Sequence, residues 1–278
     1  MSPAQKTLDA TYRARAIPLG SARYWSWLFA DSAARPALLG IYALLAEWNA
    51  LMDPATESSA ARIKLAWWQE EIRRLITGTA VHPISVYLLS LPRAGEVDLA
   101  PFMPAIDAVI AESDGAPLER SSDLEPHAAA LRAGPLMIAS RLAAAGLEQE
   151  SLEKCARAVA VGDFLARSAR DYRREARIGR VPFAVEDLLV AGIDNADLCA
   201  DRPSPQLEQY LLGLRGRARQ CYAAALRSPP AGPEAQLRHL AILAALGLKQ
   251  LQRPAASLES PRVQDMLRAW VTARRATG

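Results

Sequence analysis

Cysteine is scarce in this chain. There are three, Cys155, Cys199 and Cys221, with no C-x-x-C pair among them. An odd, unclustered set excludes a disulfide framework and a cysteine-held zinc, and it fits a reducing compartment. Histidine is equally scarce. His82, His127 and His239 lie far apart and lack the spacing of metal ligands. No apolar run approaches the roughly 20 residues of a membrane span. The first residues include Gln5, Lys6, Asp9 and Arg13, which is not the pattern of a secretory signal. A cytoplasmic protein is expected, with peripheral contact at the inner membrane as its nearest approach to lipid. There is no Gly-rich phosphate loop, no G-x-S-x-G and no H-E-x-x-H, so the motif-borne chemistries of those classes have no support. Net charge is only +3, too mild to imply nucleic acid as a partner.

About half of the 278 residues are hydrophobic, at 51%, which is ample for a buried core. Arginine greatly outnumbers lysine, and the guanidinium fork suits phosphate and carboxylate. Most long segments have helical periodicity. From Pro36 to Met52, Leu38, Leu39, Tyr42, Leu45 and Trp48 recur at spacings of three and four. Asp31 or Ser32 is placed to cap that helix, and Pro36 suits its first turn. A second helix is expected over Ser59–Ile76, with Ile63, Trp67, Ile72 and Leu75 as its stripe and Gly78 as its stop. Further helices read at about 82–91, 101–113, 123–145, 150–177, 183–191, 206–227, 234–252 and 259–274. Only Val81–Leu91 is ambiguous between helix and strand. Loops are short, so one all-α domain of about ten helices around a central cavity is expected.

The segment Gly162–Pro182 carries the most chemistry. It reads as a helix running into Gly179-Arg180-Val181-Pro182. Asp171 and Glu175 lie four residues apart, on one helix face. Arg170, Arg173, Arg174, Arg177 and Arg180 crowd the same stretch. Two carboxylates at this spacing make half of a magnesium–diphosphate clamp, whereas arginines at spacings of three and four make ion pairs with them instead.

Four stretches in order carry a resemblance. They are Phe29–Leu44, then Arg62–Glu71 with Trp67-Trp68 and the later His82-Pro83, then Ile106-Asp107 through Glu112, and last Gly162–Pro182 continuing to Ile193. At these residues the chain resembles the squalene/phytoene synthase family, over roughly residues 20–250. The resemblance implies a single squalene/phytoene-synthase-like domain, residues 1–278, of the terpenoid synthase fold. It also implies Mg²⁺-dependent, head-to-head joining of prenyl diphosphates such as farnesyl or geranylgeranyl diphosphate. Magnesium there would be held by Asp53, Asp171 and Glu175, which are the candidate catalytic positions. The diphosphate would be met by Arg170, Arg174, Arg177, Arg180, Tyr42 and Asn49.

The match is incomplete where the chemistry is heaviest. After Tyr42 the family supplies an arginine and paired aspartates. Here the arginine position is Ala46, the paired positions are Asn49 and Ala50, and only Asp53 matches. Asp53 also precedes Pro54, which turns it out of helical geometry. In the second motif Arg174 stands where an acid is usual. Magnesium keeps its waters unless several anions displace them, so ligand count favours a degenerate site. By this resemblance the chain stands nearer the family's non-catalytic branch of complex I assembly factors and their bacterial relatives. The implied partner is then an isoprenoid diphosphate, a lipid or a protein. The alternatives are an active prenyltransferase using Asp53, Asp171 and Glu175, and an unrelated helical scaffold in which Trp25, Trp27, Trp48, Trp67 and Trp68 are core.

Overall fold

The computed structural model describes residues 12–53, 56–227, 238–252 and 262–275. A helical stretch at 12–16 leads into α1 (Ala22–Leu28), α2 (Ala34–Leu51), α3 (Ser58–Thr77), α4 (Pro83–Leu89), α5 (Phe102–Ser113) and α6 (Ser121–Ala143). There follow α7 (Gln149–Arg177), α8 (Val185–Ala191), α9 (Asn195–Cys199), α10 (Pro205–Arg227), α11 (Arg238–Gln250) and α12 (Val263–Arg275). No strand occurs among the described residues, and Leu118 and Ala184 form an isolated bridge. The all-α expectation holds. The extra helices, α1 and α9, span 7 and 5 residues. Val81–Leu91 resolves as helix. Pro83 opens α4, and His82 Nδ1 accepts from the Ile84 amide at 3.2 Å.

Helix α7 is the axis of the molecule. It packs on α6, α10 and α11, while α2 packs on α6 and α5 packs on α3 and α6. Its inward face offers Leu152, Ala156, Val159, Ala160 and Leu165, all essentially inaccessible. Helix α2 is buried on nearly every side through Leu38, Ile41, Tyr42, Leu44 and Trp48. Each large apolar side chain so buried contributes about 1.5–3 kcal/mol. A second apolar cluster joins α1, α11 and α12 through Trp25, Ile242, Leu246, Ala269 and Ala273.

Two local expectations are corrected. Neither Asp31 nor Ser32 caps α2; its first flanking residue is Ala33, and Asp31 Oδ1 accepts from the Ala33 amide at 3.0 Å, within the preceding turn. The buried stripe of α3 is Ala61, Leu65, Trp68, Ile72 and Leu75. Ile63 is 72% and Trp67 40% exposed. One residue rotates a helix by about 100°, so Trp67 and Trp68 cannot share the inward face. The longer apolar row, running through Leu65, Trp68, Ile72 and Leu75, takes it. Of the other tryptophans, Trp25 and Trp48 are core and Trp27 is half-buried. The expected helix starts near 234 and 259 lie outside the described residues.

Candidate functional site

The end of α7 is built to turn sharply. Gly179 adopts φ +77°, a left-handed geometry that costs other residues a steric penalty. Its amide donates to Ala176 O at 3.0 Å, and the Arg180 amide donates to Glu175 O at 2.9 Å. This paired closure satisfies two orphan carbonyls of the helix. The turn sends Arg180 across to α2, where Nη1 donates to Met52 O at 2.6 Å. A guanidinium at a helix C-terminus also suits the helix dipole. The ends of α2 and α7 are therefore fastened together.

Between them lies a cavity of about 430 Å³. Asn49, Met52 and Asp53 line it from the α2 end. Arg167, Arg170, Asp171, Arg174 and Glu175 line it from α7, and Arg180 closes the rim. Of the residues expected from sequence, Asn49, Asp53, Arg170, Asp171, Arg174, Glu175 and Arg180 thus share one space. Tyr42 and Arg177 do not line it. Tyr42 is buried in the core with its hydroxyl 2.8 Å from Ser26 Oγ, and burial pushes that hydroxyl up to about 12. Arg177 sits at the exposed helix end, 3.5 Å from Asp201. Asp107 also points elsewhere, accepting from Gln69 Nε2 at 2.6 Å.

The carboxylates in the cavity are already engaged. Arg170 grips Asp171 through two bonds of 2.8 Å each. Arg174 donates to Glu175 at 2.8 Å, and Arg180 stands 3.9 Å from the same carboxylate. Arg174 lies 3.9 Å from Asp171 as well. The tightest of these pairs join sequence neighbours rather than the expected helical i,i+3 and i,i+4 partners. Asp53 is exposed at the cavity mouth, one residue beyond the C-cap of α2. Asp53 thus lies past the helix end, as expected, and still meets the cavity. Among the described residues no three carboxylate, histidine or cysteine side chains gather as a metal set.

Of the wall that α5 and α6 contribute, only Glu112 lay in a stretch that carries the resemblance. Glu112 on α5 accepts from Arg167 at 3.1 Å, and His127 of α6 stands 3.5 Å away. Arg132 of α6 also lines the cavity and reaches Asp163 at 3.5 Å. Asp163 accepts from the Tyr222 hydroxyl at 2.7 Å. Arg23 adjoins this group; burial, with Arg132 nearby, draws its guanidinium down to about 10, so it stays charged at neutral pH. A signal existed. Asp163, Arg167, Arg170, Asp171 and Arg174 form a charged row at spacings of three and four along α7, and such a row on a core helix marks a polar cavity.

Glu112 makes the electrostatics testable. Burial alone would raise its carboxyl, but Arg167 and His127 outweigh burial and hold it below the ordinary 4.5. A carboxyl depressed in the fold stabilises above the unfolded value and loses that contribution as pH falls through the folded one. Urea midpoints should therefore drop as pH descends below about 4.5. In Glu112→Gln that acid limb should be shallower, and the neutral-pH midpoint lower because Arg167 has lost its anionic partner.

Comparison with known proteins now places the chain. No curated protein matches it in sequence. Its structure is similar to that of squalene synthase HpnC from Alicyclobacillus acidocaldarius, with a TM-score of 0.74 over 89% of this chain and 91% of that one, at 20% identity. It is also similar to a dehydrosqualene synthase solved in complex with ligand, with a TM-score of 0.77 over 98% and 96% of the two chains, at 16% identity. At such identities the likeness carries the fold alone. The squalene/phytoene synthase family model matches residues 19–269. That span removes the reading as an unrelated helical scaffold: this chain belongs to the squalene/phytoene synthase family.

Proposed function

We propose that this chain is a divergent squalene/phytoene-synthase-like protein that holds an isoprenoid diphosphate, or an anionic lipid headgroup, on arginine rather than on magnesium, and does not turn it over. One observation carries the reading. Glu112, Asp171 and Glu175 each accept from a guanidinium at 3.1 Å or less. A magnesium ion needs such oxygens free and in near-octahedral array. The donor set therefore does not fit a resident magnesium cluster.

The arginines retain capacity for an anion. A guanidinium has five N–H donors, and Arg170 uses only two groups, Nε and Nη2, on Asp171. Arg132, Arg167 and Arg180 face the same cavity. Charge-assisted N–H bonds to phosphate oxygens are among the stronger hydrogen bonds. At about 430 Å³ the cavity is near the lower end of the roughly 300–1,000 Å³ of small-molecule sites. That suits one headgroup better than two complete prenyl substrates. In this reading the protein serves as a binding or assembly component, as in the family's non-catalytic branch.

A second reading is a magnesium-dependent head-to-head prenyltransferase. Asp53 and Asp171 lining one cavity favours it. Product analysis separates the two. Pure protein given farnesyl or geranylgeranyl diphosphate with Mg²⁺ should leave the substrate intact. Robust release of pyrophosphate with a coupled hydrocarbon product, lost in Asp171→Ala, would establish the second reading.

A further inference from the structure

Helix α12 shows three different faces. Asp265, Ala269 and Ala273 are buried against the body, where Ala269 and Ala273 meet Ile242, Leu246 and Trp25. Asp265, the only acid of the helix, is turned inward 3.4 Å from Lys249 Nζ. A second face is apolar and open to solvent: Val263 is 69%, Leu267 50% and Trp270 42% exposed, with Met266 and Val271 beside them. These residues recur at spacings of three and four, so they cover about a third of the helix circumference. The third face carries Gln264, Arg268 and Arg275, all exposed. Arg274 lies within the apolar face and stacks over Trp270 at 4.3 Å.

A large apolar stripe left in solvent signals an interaction surface. Its borders choose the occupant. The exposed charges of α12 are all arginine, and the carboxylate is withdrawn from the surface. Leucine, tryptophan and valine on one side, with arginine on the other, is the composition of a helix lying in a bilayer interface. The arginine stems are long enough to leave the charge among headgroups while their methylenes cover apolar surface. Among the described residues no helix is long and apolar enough to cross a membrane, so the contact is peripheral.

We infer that α12 docks this protein onto anionic bilayers, with Leu267 and Trp270 entering the interface and Arg268, Arg274 and Arg275 meeting headgroup phosphate. An anionic headgroup could also enter the cavity, so the variants of α12, none of which lines that cavity, separate the two contacts.

The test is flotation of the full chain with vesicles of equal parts phosphatidylglycerol and phosphatidylcholine, against phosphatidylcholine alone. Wild-type protein should float with the anionic vesicles and release as salt is raised. Leu267→Gln with Trp270→Gln should lower binding at least tenfold. Arg268→Glu with Arg275→Glu should lower it by about fivefold or more per arginine, on anionic vesicles only. All these positions are exposed, and circular dichroism should show unchanged helicity. Failure of the wild type to float overturns the inference. So does wild-type flotation of the apolar variant, or a wild-type dimer that this variant converts to monomer without any vesicle binding.

Discussion

Arg170→Glu combined with Arg174→Glu should lower the affinity for inorganic pyrophosphate by about a thousandfold. The size follows from the hydrogen bonds that the two guanidinium groups would give the anion. A hydrogen bond to a charged group contributes about 1.5–3 kcal/mol, and both donors disappear at once. The new carboxylates would also stand among Asp171 and Glu175, so repulsion adds to the loss. Titration calorimetry at fixed salt measures it. The control is Arg177→Glu, whose arginine sits at the exposed helix end near Asp201 and does not line the cavity. That variant should bind within about threefold of wild type, the residual change being long-range and screened. Equal losses in both variants would mean that pyrophosphate responds to overall charge and not to this cavity.

The second large effect concerns Tyr222, which joins the core to the site. Its ring is wedged between two glycines on different helices. A Cβ at Gly247 of α11 would lie 2.3 Å from Tyr222 Cζ, and one at Gly162 of α7 would lie 2.9 Å from Cε1. The ring has no free volume on either side, and its hydroxyl is fixed by Asp163 at 2.7 Å. Gly247→Ala therefore forces the ring off Asp163 or spreads α7 from α11. Overpacking of a tight core costs about 1–3 kcal/mol, and loss of the hydrogen bond to a charged acceptor about 1.5–3 kcal/mol. A loss of about 4 kcal/mol in urea unfolding is expected, set against a total of about 5–15 kcal/mol for a typical domain. Gly247→Ala in a Tyr222→Leu background should cost much less than in wild type, because residues in contact do not add. Additive losses would place the strain elsewhere.

Much of the fold was legible because α2, α7 and α10 are long and periodic. Pattern reading failed where a pattern was short or double. Helices α1 and α9, of two turns or fewer, were not expected. In α3 two apolar rows compete; the longer one turns inward, taking Trp68 against Trp48 and His82 and leaving Trp67 outward. The candidate site was half legible. Asp171, Glu175 and the arginines around them were visible because they share one short stretch of sequence. Arg132 and His127 come from α6, and nothing local in their sequence says that they face α7; Glu112 was marked only by its place in a stretch that carries the resemblance. Tyr42 shows the converse. It lies in the stretch that carries the resemblance, yet it spends its hydroxyl on Ser26 inside the core.

The central claim is that arginine, not magnesium, holds the anion in this cavity. Calorimetric titration of the full chain with inorganic pyrophosphate, once in EDTA and once with excess Mg²⁺, tests it most directly. Binding in EDTA at an affinity equal to or tighter than that with Mg²⁺ is the predicted result, since chelated pyrophosphate presents less negative charge to the guanidinium groups. Binding that appears only when Mg²⁺ is present, and vanishes in Asp171→Ala, would contradict it.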